Sequence, residues 1–139
     1  MKYTIDNNII FLSLTKGEEI NQSILRLAKQ EDISSCWING IGAIGQATIG
    51  YYSIEKKIYE RKLFKNDYEL TSLMGNISIK NGDPFVHNHV TFTDKKYNSI
   101  GGHLFSATIT ATGEFFLFLG KSPILRDFND DIGIPLWCL

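Results

Sequence analysis

Short apolar stretches, most of them alternating with polar residues, recur along nearly the whole chain. A period of two is the mark of strands. It predicts strands at Tyr3–Ile5, Ile9–Leu14, Cys36–Asn39, Ala47–Ser53, Ile58–Phe64, Tyr68–Ile79, Phe85–Phe92 and His103–Leu119. One stretch has a different period. Ile20, Ile24, Leu27 and Ala28 fall at i, i+4, i+7 and i+8, while Glu19, Gln22, Arg26, Lys29 and Gln30 take most of the other face. That spacing predicts an amphipathic helix over about residues 18–31, with Thr15 and Glu18 at capping-box separation.

The punctuation between these stretches is turn chemistry. Asn7-Asn8, Glu55-Lys56-Lys57 and Asp94–Asn98 are polar breaks, and Asn81-Gly82 is a strong two-residue hairpin signal. Thr112-Gly113 predicts a bend in the last long strand. The tail from Gly120 carries Pro123 and Pro135, and a second short helix is expected near Ser122–Phe128. One helix against eight or nine strands makes an α+β fold with a largely antiparallel sheet. At 139 residues the expectation is one domain, 1–139.

Composition narrows the partners. The chain is 43% hydrophobic, enough for a core, and its net charge is −1. No global positive field exists to hold a polyanion, which counts against direct DNA binding. No apolar run approaches the ~20 residues of a membrane helix, and Met1–Asp6 has no signal-peptide character. Cys36 and Cys138 make no framework and no CxxC pair, so reduced thiols and a cytoplasmic location are expected.

The candidate chemistry is concentrated in the three histidines, His87, His89 and His103. In Phe85-Val86-His87-Asn88-His89-Val90, H-x-H on a strand puts both imidazoles on one face. A two-residue turn at Asn81-Gly82 pairs Asn76 with His87 and Met74 with His89, making both candidate site-lining residues. A three-residue turn at Lys95-Lys96-Tyr97 then sets His103 opposite His89, at a Cβ separation of about 5 Å. Three neutral imidazoles with a position left open suit Zn²⁺, with other divalent first-row metals possible.

Other motifs carry less. Gly40-Ile41-Gly42-Ala43-Ile44-Gly45 spells GxGxxG, but Ala47-Thr48-Ile49-Gly50-Tyr51-Tyr52 follows with no helical period, so no phosphate-binding helix begins there. A tight crossing, where the backbone needs positive φ or close packing, is the expected role. Glu114, in Thr112-Gly113-Glu114-Phe115-Phe116-Leu117, is a candidate fourth ligand or general base. Eleven extended residues from His103 span roughly 36 Å. The chain must therefore fold back, or a second subunit must supply the acid; otherwise Glu114 is an edge or interface carboxylate.

Several motifs resemble, in order, the PPC (plants and prokaryotes conserved) domain in its stand-alone bacterial and archaeal form. They are Lys16-Gly17-Glu18-Glu19-Ile20, Asn39-Gly40-Ile41-Gly42-Ala43, Ser72-Leu73-Met74-Gly75-Asn76-Ile77, Gly82–Val90, Gly101-Gly102-His103-Leu104 and Ala111-Thr112-Gly113-Glu114; Arg126-Asp127-Phe128 through Gly133 resembles the family's C-terminal segment. The resemblance implies a homotrimer with a zinc site on His87, His89 and His103. It also implies a DNA-associated or regulatory role, although plant members bind DNA through an AT-hook that this sequence lacks. Their Gly-Arg-Phe-Glu-Ile-Leu stretch reads Asn66-Asp67-Tyr68-Glu69-Leu70-Thr71 here, without the arginine. The three-histidine pattern also looks like that of acetolactate decarboxylase, a zinc lyase. That implies the alternative of a metal-dependent lyase or hydrolase acting on a small molecule at the metal.

Overall fold

The computed structural model describes residues 1–139. Its elements are β1 (Lys2–Asp6), β2 (Ile9–Thr15), α1 (Ile20–Gln30), β3 (Cys36–Ser53), β4 (Ile58–Phe64), β5 (Tyr68–Lys80), β6 (Asp83–Thr93), β7 (Ser99–Leu119), β8 (Leu125–Asn129) and β9 (Ile134–Cys138). The α+β class expected from the pattern is what forms, with one sheet of nine strands. No helix is long and apolar enough to cross a membrane.

The sheet closes on itself. β3 pairs with both β5 and β7, and β6 also pairs with both β5 and β7. Closure requires sharp curvature, and β3 supplies it through register shifts at Gly40/Gly42, Gly42/Ile44 and Gly45/Thr48. Bulges of this kind bend a strand and raise its twist. The glycine-rich stretch therefore lies inside a strand, and no helix begins there. At Gly40 an added Cβ would run into the Phe115 ring, so close packing is what demands glycine there.

The concave face holds the core. Ile10, Leu14, Ile38, Ile44, Leu73, Ile77, Phe92 and Leu117 are fully buried there, with Ile20, Ile24, Leu27 and Ala28 of α1 laid over them. The helix begins later than the spacing suggested. Gly17 takes φ +92 in a turn, so Thr15 stays at the end of β2 and its N–H and hydroxyl both donate to Glu18 Oε2. Glu19 is the N-cap, accepting from Gln22 N at 2.6 Å.

The tail differs more. No helix forms at 122–128. Leu125–Asn129 is instead a strand that pairs in parallel with β5 at Ile79 and Lys80, and antiparallel with β9. An open edge of β5 offered backbone partners that a short isolated helix, marginal on its own, could not match. The tip of this hairpin is tied down across the sheet: Tyr52 donates its hydroxyl proton to Ile132 O, and Lys57 Nζ donates to Asp130 O.

Candidate metal centre

The histidines lie on the convex face, opposite the helix. Local hairpin chemistry puts them there. Asn81 and Gly82 both take positive φ, at 52° and 85°, as a type I′ turn requires. The register that follows pairs Asn76 with His87 and Met74 with His89. The Asp94–Asn98 loop, pinned by the Asp94 carboxylate accepting from the Lys96 and Asn98 amides, sets His89 opposite His103. All three pairings match those expected from turn lengths alone.

The three imidazoles form a nearly equilateral triangle, with ring centroids 5.2, 5.1 and 5.4 Å apart. One ring nitrogen from each lies within 4.8 Å of the others. Ligands about 2.05 Å from a tetrahedral ion are about 3.3 Å apart, so small rotations would close the set. A second observation fits a cation: His103 Nδ1 is buried with no hydrogen-bond partner, and buried polar atoms are rarely left so. Burial and neighbouring cations also keep the rings neutral. Burial, then Arg126 and His89, lowers His87 to about 4. Burial, then His87, His89 and Arg61, lowers His103 to about 4. Burial lowers His89 as well. Neutral imidazole is the metal-binding form.

The surroundings add residues that sequence reasoning missed. Arg126, from the tail hairpin, is buried at 7% exposure. Its Nε donates to Ser78 Oγ at 2.6 Å, Nη1 to Pro135 O at 3.0 Å and Nη2 to Asn76 Oδ1 at 3.0 Å, and Nη2 also lies 3.3 Å from His87 Nδ1. Tyr59 packs against His103 with the rings tilted, centroids 4.8 Å apart. Room for that ring exists because residue 50, opposite both His103 and Arg61, is glycine. A Cβ there would sit 2.6 Å from the Phe105 ring and 3.1 Å from Tyr59. Tyr59 was discoverable, since a short β3–β4 turn pairs it with Tyr52. Arg126 carried no such signal, because its strand was expected to be helix.

Met74 lines a shallow groove beside His89, together with Ser72, Thr91 and Gly101. Asn76 sits between His87 and Arg126. Glu114 is not brought to the histidines. It shares β7 with His103 but faces Ser13 and Ile41, so within one chain it is no fourth ligand. The extended strand keeps the two apart, and the bulge between Ile109 and Gly113 does not fold it back.

Residues 1–121 match the model of the Plants and Prokaryotes Conserved (PCC) domain, and the chain belongs to that family. Solved structures agree. The plant- and prokaryote-conserved protein of Pyrococcus horikoshii is 34% identical, with 99% of this chain and 95% of that one covered at a TM-score of 0.88. A structure from Archaeoglobus fulgidus described as a metal-containing protein is also 34% identical, covering 99% and 97% at 0.87. A Bacteroides thetaiotaomicron structure, named a "putative dna binding protein", is 33% identical, covering 99% and 96% at 0.96. Comparison with curated proteins finds no match.

Proposed function

We propose that this chain is a zinc-binding PPC domain that works as a homotrimer, with a metal that keeps one position open for a small ligand. The observation that carries the reading is the triangle of neutral imidazoles on His87, His89 and His103. No side-chain carboxylate or thiol completes the group, and three protein ligands with a free position is the pattern of sites that act on something. Another divalent first-row ion would suit the same donors. The similarity to a metal-containing protein supports a bound ion.

Assembly is supported by the rest of the convex face. Phe11, Trp37, Phe116 and Phe118 are each more than 40% exposed and neighbour one another across strands. Contiguous aromatic surface of this kind marks a contact, and the resemblance to the family supports two further copies of the chain as the partner. Free Cys36 and Cys138 fit a reducing, cytoplasmic setting.

The metal, when bound, would polarise a carbonyl or activate water. The chain's own residues would do the rest: Tyr59 and Arg126 wall the site, and Asn76 holds Arg126 in place. A lyase or hydrolase acting on a small molecule is the chemistry this arrangement suits. The second reading is a regulatory protein associated with DNA, favoured by the name of the Bacteroides structure; a net charge of −1 points to association through partners instead of direct binding.

The test is metal analysis of purified wild type beside His89→Ala, with the mass in solution measured on both. One equivalent of zinc per chain in wild type, lost in the variant, with a three-chain mass, is expected. Equal metal in both proteins would sink the site, and a single-chain mass would sink the assembly.

A further inference from the structure

Arg126 is a buried cation with no counter-charge. The chain's ion pairs are Met1–Glu18, Arg26–Glu18, Lys29–Asp83 and Lys56–Glu60, and none involves it. Every acceptor around its guanidinium is neutral: a hydroxyl, a peptide carbonyl, an amide and an imidazole. Aromatic rings flank it, Phe85 at 5.2 Å and Trp137 at 5.6 Å. An unpaired buried charge is costly, and proteins rarely keep one without a use.

A metal ion makes this imbalance larger in two ways. It adds positive charge beside the guanidinium. It also removes an acceptor, because a neutral imidazole has one acceptor nitrogen and one N–H. If the metal takes Nδ1 of His87, that lone pair is gone. If it takes Nε2, then Nδ1 carries the proton. Either way, the Nη2–H that now faces His87 Nδ1 at 3.3 Å loses that acceptor.

We propose that the site is built to take a small carboxylate, one oxygen on the metal and the other on Arg126 Nη2. This rests on the reading that the three histidines hold a metal. One such ligand supplies the missing negative charge, the missing acceptor and the missing coordination at once. Its two oxygens suit a guanidinium N–H and a neighbouring cation. The aromatic walls of Phe85, Trp137 and Tyr59 suit the carbon body of an organic acid. A phosphate dianion would call for more free donors than this one arginine offers.

Cobalt(II) replaces zinc as a visible probe, and propionate is titrated against the absorption of the loaded protein, with inorganic phosphate alongside. Wild type is expected to show a saturable spectral change with propionate and a weaker one with phosphate. Arg126→Met should weaken propionate by about tenfold or more, the value of a charge-assisted hydrogen bond. That variant also loosens the tail hairpin, so Asn76→Asp provides the second arm. It keeps the size of the side chain and gives Arg126 an internal anion, and it should weaken propionate similarly while cobalt is retained. Cobalt uptake with propionate binding unchanged in both variants overturns the carboxylate site and leaves the metal reading standing. Tighter binding of phosphate overturns the ligand class. Failure of the wild type to take up cobalt sinks both.

Discussion

Strand β7 contributes to the convex face twice, and its two ends make opposite kinds of surface. Because the sheet closes, one row of directly paired residues runs Phe11, Phe116, Asn39, Met74, His89, His103, beginning and ending near β7. At the His103 end the surface is polar and roofed by the tail hairpin, and it holds a buried cation, Arg126, without an anion. At the Glu114 end it is aromatic and open, and it holds an anion that makes no ion pair. Burial makes the difference matter. An exposed carboxylate is satisfied by water, whereas a buried guanidinium is not. The first end therefore carries its cost within a single chain, and the second acquires one only when another surface covers it.

The largest expected effect breaks the aromatic end alone. Trp37→Glu with Phe116→Glu places two carboxylates where 43% and 44% exposed aromatic side chains now stand. Charges desolvated at a contact without partners each cost several kcal/mol, so the solution mass should fall to that of one chain. The proposed zinc content should match wild type, because neither residue pairs with a histidine. Loss of zinc together with assembly would mean that the two ends are one site shared between copies.

The ease with which the histidine end could be read is itself instructive. Turn lengths at Asn81-Gly82 and Asp94–Asn98 determine register over a few residues, and side-chain direction follows register by strict alternation. His87, His89, His103, Asn76 and Met74 could all be placed from these alone. Arg126 could not. It reaches His87 through β8, whose partner β5 lies far away in sequence and offers only two paired residues, Ile79 and Lys80. Local period has no access to such a pairing. The helix at 20–30 was legible because one amphipathic stripe decides it, but its start was not. That depended on Gly17 turning the chain and on Glu19 reaching Gln22 N, where Thr15 and Glu18 offered a competing cap.

A smaller effect comes from acid at the histidine end. In the metal-free protein His87 and His103 are held near 4, against an ordinary 6.5. Between those values the unfolded chain binds protons that the folded chain does not, so stability rises with pH there. It is complete above about 6.5 and is lost progressively as pH falls toward 4. The melting temperature of metal-free wild type should therefore drop between pH 7 and pH 4.5, and that of His87→Asn/His103→Gln should drop less. Parallel curves for the two proteins would show that the imidazoles are not buried as described.

The smallest expected effect distinguishes the two uses of Glu114. In a single chain the side chain is exposed and unpaired, so Glu114→Gln should change folding stability by no more than about 0.5 kcal/mol. A larger influence would arise only at the proposed contact between copies. Between Ile41 and Ser13, and one pleat from Phe116, the carboxylate must lose water if a second copy covers the aromatic patch. If it gains no partner there, the amide is cheaper to bury, and the variant should resist dissociation on dilution slightly better than wild type. Sedimentation across a dilution series measures this. Easier dissociation of the Gln variant would mean that the carboxylate meets a donor on the neighbouring copy. Glu114 would then be an acid supplied across the contact, and the patch would carry chemistry as well as adhesion.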